Sequence, residues 1–246
     1  MRLPLPCVIG SRNSASTWHS VVVSADRPFR DSRGKLLVDY PRPSVAADIA
    51  VLTIDPGSTA GLMLLQVRRA GSHRGGEWAL PGTFLHPGER LTGAVGRALQ
   101  EKAGVIGVAA RQLHVFDDPE RDDRGWVLSV AHVALVPFLQ LAGPAAERED
   151  VRIVPVAAAK GLPYDHDSIV ARAVADVRAR YLVTPDPDGL LPRTFTIREL
   201  RVVHEAVAGH ALMRDTFRRG MEGFLKPTGR LSTGAVGRPA ELFRRR

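Results

Sequence analysis

The chain has 246 residues, enough for two small domains, and 34 basic against 26 acidic residues give it a formal charge of +8. Such an excess points to a polyanionic partner, nucleic acid first and an anionic membrane second, and says nothing of fold. A single cysteine, Cys7, excludes an intrachain disulfide and a cysteine metal cage and fits a reducing, cytoplasmic compartment. No apolar run is long enough to span a membrane, and Pro4 and Pro6 interrupt the short apolar opening, so neither a membrane segment nor a secretion signal is expected.

Residues 1–42 mix Ser, Arg, Pro and Gly around Val21, Val22 and Val23 without a sustained period and read as a weakly ordered extension. From Ala46 the pattern changes. "AADIAVLTI" and "GLMLLQVRR" read as buried strands, with Pro56-Gly57 as the turn between them. "LPGTFLHPGERLTGAVGRALQEKAGV", residues 80–105, gives a loop and then a helix with Leu91, Ala94, Val95, Ala98 and Leu99 on one face and Gly104 at its C-terminus. "RQLHVFDD" and "VLSVAHVALVPF" add two strands around the charged loop "DPERDDRG", while "LAGPAAERED" reads as a loop. Strands around one clear helix predict an α+β domain over residues 43–156.

Residues 157–246 form the second predicted part. In "YDHDSIVARAVADVRARYLV", Ile169, Ala173, Val174 and Val177 fall on one helical face, with Asp167 or Ser168 placed to cap the start, and the helix stands where it could join two domains. Thr196 and Glu199 form a T-x-x-E capping box, and Gly209 is placed to end that helix. The next helix starts near Met213 or Arg214. Its Phe217, Met221 and Phe224 are expected to face inward, leaving Arg214, Thr216, Arg218 and Arg219 on the other faces. From Lys226 to Phe243 the chain carries Gly229, Gly234, Gly237 and Pro239 with the basic residues Lys226, Arg230 and Arg238, as a β-hairpin wing would. Helix, turn, helix and basic hairpin is the order of a winged helix-turn-helix, whose second helix enters the major groove of DNA. The plainer alternative is a solvated Arg-rich face and a basic tail.

Residues 80–105 resemble the signature of the Nudix family: a glycine, five residues, a glutamate, seven residues, then Arg-Glu-apolar-x-Glu-Glu-x-Gly-apolar. Thr83 takes the glycine's place, and Glu89, Arg97, Leu99, Gly104 and Val105 match the frame. The three metal-binding glutamate positions fall on Ala98, Glu101 and Lys102, which carry no net charge between them. A dication held for pyrophosphate hydrolysis needs carboxylate oxygens. An ammonium about 4 Å from it is instead repelled, by ~4 kcal/mol per unit-charge pair at an effective dielectric near 20. No metal and no catalytic residues are therefore expected. Glu101 is open to two readings, a surface ion pair with Arg97 or a ligand contact.

Across residues 40–246, the strings "YPRPSVAADIAV", "LLQVRRAGSHRGGEWALPG", "FDDPERDDRGWVLSV", "YDHDSI", "LLPRTFTIRELRVVHEAV", "FRRGM" and "GRPAELF" occur in the order found in the Nudix-related transcriptional regulators of NAD metabolism, the NrtR family, which the chain resembles. The resemblance implies an N-terminal Nudix-like α/β/α sandwich joined to a C-terminal winged helix-turn-helix. It implies a dimeric repressor of NAD biosynthesis or salvage genes, bound to a palindromic operator and sensing ADP-ribose, with no cofactor and no membrane partner. It places Arg218 and Arg219 on the recognition helix and Arg238 in the wing. Thr216 stands where the family often has Asn. Phe84, Glu89, Arg97 and Glu101 would line the old active site, Arg69 would lie near the ligand's phosphates, and Arg121 and Arg124 are second-tier contacts. His86 and His132 have no metal-ligand spacing, and Cys7 has no predicted base beside it. Two other readings stand beside this one: a Nudix hydrolase of nucleoside diphosphate derivatives with a basic nucleic-acid-binding tail, and a scaffold without either activity.

Overall fold

The computed structural model describes residues 29–233 and 239–246, so Cys7, Val21 to Val23, Gly234, Gly237 and Arg238 lie outside the described residues. The chain divides into Met1–Arg42 and Pro43–Arg246. In the first unit, residues 29–42 hold a local turn where the sequence pattern predicts weak order. Asp31 accepts the N–H groups of Arg33 and Lys35 at 2.9 and 2.8 Å and the Tyr40 hydroxyl, ahead of a 3-10 turn at Leu37–Asp39.

In the second unit, β1 (Ser44–Ile54), β2 (Leu62–Arg68), β3 (Trp78–Ala79), β4 (Gly82–Phe84), β5 (Arg111–Phe116), β6 (Val127–Leu135) and β7 (Val151–Pro155) make one mixed sheet. Its central path runs β3-β2-β1-β6-β5, with β4 on β1 and β7 on β2, and β1 is parallel to β6. β1 is buried on both faces, and the two-residue period of a strand sends alternate side chains to opposite layers. Ala47, Ile49 and Val51 meet α1 (Leu91–Ala103) and α2 (Phe138–Glu147), whereas Ala50 and Leu52 meet α3 (His166–Val183). The result is an α/β/α sandwich, as the resemblance implied.

Three local differences from the sequence reading have physical causes. Residues 138–147, part of which the sequence pattern reads as a loop, form α2, since fully buried Leu141 and partly buried Ala145 stand four apart on the core and hold the helix around Pro144. The cap of α3 is Asp165, not Asp167 or Ser168. Asp165 pairs with Arg121, while the Asp167 carboxylate accepts the N–H groups of Gly161 and Leu162 at 2.8 and 3.1 Å. Phe224 is exposed, because α5 (Arg214–Glu222) ends before it and strand alternation turns Leu225 inward instead.

The predicted boundary at residue 156 does not interrupt the core. Ile169, Val170, Ala173, Val174, Val177 and Tyr181 of α3 pack on the sheet, and Val207 of α4 (Ile197–Ala208) joins the same cluster. A separate core of Phe195, Leu200, Phe217, Met221, Leu225 and Phe243 joins α4 and α5 to the hairpin of β8 (Leu225–Leu231) and β9 (Glu241–Arg245). The α4 capping box is formed, with Thr196 N–H donating to Glu199 at 2.7 Å and Glu199 N–H donating to Thr196 Oγ1 at 3.2 Å. Gly209 ends the helix in the left-handed conformation. Among the described residues no helix is long and apolar enough to cross a membrane.

Candidate functional site

A cavity of about 470 Å³ opens between β4, the C-terminal end of α1, the loop before β6 and the start of α3. Its floor is Asp48, which β1 places on the layer facing α3. Asp48 accepts from Ser129 Oγ at 2.6 Å and faces His166 Nε2 and Arg121 Nη2, each at 3.5 Å. The Leu80 N–H, 3.1 Å from His166 Nδ1, holds the ring with its Nε2 toward Asp48. Burial alone would raise the Asp48 carboxyl, but His166, Ser129 and Arg121 outweigh it and hold the group at about 2. Gly82 makes this arrangement possible, since a Cβ there would run into Asp48 Oδ1. Arg121, expected only as a second-tier contact, is nearly fully buried and also pairs with Asp165.

The walls are basic and aromatic. Arg69 and Arg124 stack on the Tyr164 ring, 5.0 and 4.7 Å from its centre, and Arg124 also faces the Phe84 ring at 5.0 Å. Asp122 holds Arg124 through two hydrogen bonds of 2.8 and 2.6 Å. Six Lys and Arg residues against four carboxylates line the cavity. Among the described residues Arg68, Arg69 and Lys102 have no carboxylate partner, and Arg68 instead donates to the Gly76 carbonyl at 3.2 Å. Among the described residues, two buried polar atoms of the lining, Arg69 Nε and the Tyr164 hydroxyl, have no hydrogen-bond partner. Tyr164 is a cavity residue that the sequence does not mark, because nothing in the local pattern of "YDHDSI" connects it to a loop eighty residues earlier.

Of the five expected effector residues, Arg69, Phe84 and Glu101 line this cavity and Glu89 and Arg97 do not. Glu89 and Arg97 face each other instead, with bonds of 3.0 and 2.8 Å, and Arg97 also donates to Thr83 Oγ1 at 2.9 Å and the Phe84 carbonyl at 3.0 Å. Those Arg97 bonds, with the His86 N–H, hold the Glu89 carboxyl at about 2. The pair braces the loop. Glu101 is exposed and 4.0 Å from Arg97.

A divalent ion does not fit. Ala98 is completely buried against the sheet, Lys102 brings an ammonium to the cavity, and among the described residues no group of three His, Cys, Asp or Glu side chains could hold a metal. His132 is buried with Nδ1 2.8 Å from the Val130 carbonyl, and burial lowers its pKa, while His86 offers its backbone N–H to Glu89.

At the other end of the chain, α5 exposes Arg214, Thr216, Arg218 and Arg219, and β8 exposes Lys226 and Arg230. Arg218 reaches Glu222 at 3.3 Å and Arg219 reaches the Asp215 carbonyl at 3.3 Å, contacts weak enough to yield to a phosphate or a base. Arg238 lies outside the described residues.

Fold and cavity together define a Nudix-type domain, without a metal cluster among the described residues, joined to a winged helix. The chain matches the NUDIX domain over residues 44–177 and the NrtR DNA-binding winged helix domain over residues 189–245. It is 32% identical over 212 residues, 84% of this chain and 83% of the relative, to the "ADPR responsive transcriptional repressor NtrR" of Acinetobacter baylyi. A crystal structure of Shewanella oneidensis NrtR with a 27mer DNA superposes with a TM-score of 0.69 at 30% identity, covering 82% of this chain and 93% of that one. An ADP-ribose pyrophosphatase of Methanocaldococcus jannaschii is 29% identical over 134 residues, 53% of this chain and 73% of the relative. The chain belongs to the NrtR family.

Proposed function

We propose that the chain is a DNA-binding repressor, acting as a homodimer on a palindromic operator near genes of NAD metabolism, whose Nudix-type domain senses ADP-ribose and does not hydrolyse it. The observation that carries the sensor is the pair of buried, unpartnered polar atoms, Arg69 Nε and the Tyr164 hydroxyl, on a basic cavity whose volume suits a nucleoside diphosphate sugar. A diphosphate supplies the acceptors both atoms lack. Arg69 and Lys102 neutralise it in place of a metal ion, the Phe84 ring offers a face to the base, and Glu101 stands at the rim. Glu89 and Arg97 serve as frame rather than as ligand contacts. The Acinetobacter relative's name as an ADPR-responsive repressor supports the same effector, and the DNA in the Shewanella structure supports the winged helix as the reader of the operator.

In this reading Arg214, Thr216, Arg218 and Arg219 enter the major groove and Lys226, Arg230 and Arg238 follow the backbone. The sensor extends through α3, and the reader follows it. The test is operator-bound protein titrated with ADP-ribose, once in the presence of a chelator and once in magnesium. The operator is released and ADP-ribose is recovered intact by chromatography. Metal-dependent turnover that disappears in Glu101→Gln sinks the sensor reading in favour of the hydrolase.

A further inference from the structure

Asp186 lies in the connection between α3 and α4 with φ of +46°, a left-handed backbone that a residue with a Cβ keeps only where its surroundings hold it. Its own buried carboxylate does the holding. Oδ1 accepts from the Tyr181 hydroxyl in the last turns of α3 at 3.3 Å and from the Leu190 N–H at 2.8 Å. Oδ2 accepts from the Leu191 N–H at 2.9 Å and from Arg245 at the end of β9, and Arg245 also donates to the Leu191 carbonyl at 2.9 Å. The Asp186 N–H donates to His204 Nε2 in α4 at 3.3 Å. The His204 ring lies edge-on to Tyr181 at 4.9 Å and to Phe217 of α5 at 5.0 Å. One residue thus ties the end of α3 to α4 and to the second wing strand, and through His204 it meets the helix that exposes Arg218 and Arg219. The opposite end of α3 is the cavity wall. Tyr164 and His166 line it there, about 27 Å away for 18 residues at roughly 1.5 Å each.

We propose that Asp186 and Arg245 form a clasp that positions the recognition helix on the end of α3, so that a displacement of the first turn of α3 at the cavity reaches α5 as a change of angle. The clasp rests on the proposed function for its signal but not for its existence. A purely local role would stabilise the wing and leave the link between the two parts untouched.

The test compares the full chain with Arg245→Ala, Arg245→Lys and Tyr181→Phe. Calorimetric unfolding without ligand is read first. The native chain unfolds in one transition, Arg245→Ala in two, and Arg245→Lys restores one; Tyr181→Phe, which keeps its ring, shifts in the same direction by less. Each protein's response is read against its own ligand-free operator affinity: in Arg245→Ala the loss on adding ADP-ribose falls from the roughly 5 to 150-fold of an ordinary allosteric coupling to under about twofold, although the ligand binds equally well. A single transition in Arg245→Ala overturns the clasp, as does an undiminished response to ADP-ribose. If ADP-ribose binds neither protein, the effector reading fails and the unfolding comparison still decides the clasp.

Discussion

Tyr164 carries the guanidiniums of Arg69, Arg74 and Arg124 on its ring and, among the described residues, has a hydroxyl with no partner, so substitutions around it separate charge from hydrogen bonding. Arg69→Ala removes a charge-assisted contact and is expected to weaken ADP-ribose binding by about 10 to 150-fold, the equivalent of roughly 1.5–3 kcal/mol, while Tyr164→Phe costs about tenfold or less; isothermal calorimetry measures both. Equal binding by native protein and Arg69→Ala would place the diphosphate elsewhere. Gly82→Ala tests the floor. Its Cβ would displace the Asp48 carboxylate, so denaturant unfolding should show a loss of about 1–3 kcal/mol, typical of overpacking. The family resemblance puts Arg69, Phe84 and Glu101 at the old active site, two of them inside the Nudix box and Arg69 before it, and they line the cavity. The same resemblance puts Glu89 and Arg97 at that site, yet an acid and a base eight residues apart across a loop and helix start could bond each other, and in the fold they do.

Elements were legible where a cap or an alternation marks them. The Thr196-Glu199 box and Gly209 delimit α4 in the sequence and do so in the structure because they satisfy the orphan backbone groups of its ends. Thr196→Ala is expected to destabilise the winged helix by about 1 kcal/mol in thermal unfolding, without altering ADP-ribose affinity. β3 and β4, of two and three residues, are too short for any period, and α2 is hidden behind a proline. The strongest test at this scale is α5. Arg218→Ala or Arg219→Ala should cost about 1–3 kcal/mol in footprinting if the side chain reads a base, or lower the salt slope of binding by roughly one if it contacts a phosphate. An unchanged affinity, selectivity and slope in both variants would remove α5 from the major groove.

Across the whole molecule the two parts are expected to part company in acid. Burial holds His204 at about 4 against an ordinary 6.5, so the unfolded chain binds the proton more readily; the stability tied to neutral His204 is complete above 6.5 and is lost as pH falls from there toward 4. Asp48, at about 2 against 3.8, keeps its contribution until pH falls below 3.8 and loses it toward 2. Operator binding should therefore decline between pH 6.5 and 4 while ADP-ribose binding persists to lower pH, with circular dichroism following each step. His204→Gln should flatten the upper step, and an unaltered profile would detach it from this residue. The order of the two domains was legible from sequence, but the seam between them was not. The face of α3 predicted from its spacing is real, and only the fold shows that it packs on the sheet and carries Tyr181 to the seam.

Lys102 gives the cavity a positive charge that is covalently attached. A receptor that must borrow a divalent ion reports the metabolite and the ion together, and any chelator or competing nucleotide that lowers free metal dims its signal. With an ammonium in the ion's place, on the function proposed here, the operator follows one concentration alone, and the response curve should be superimposable in magnesium and in chelator.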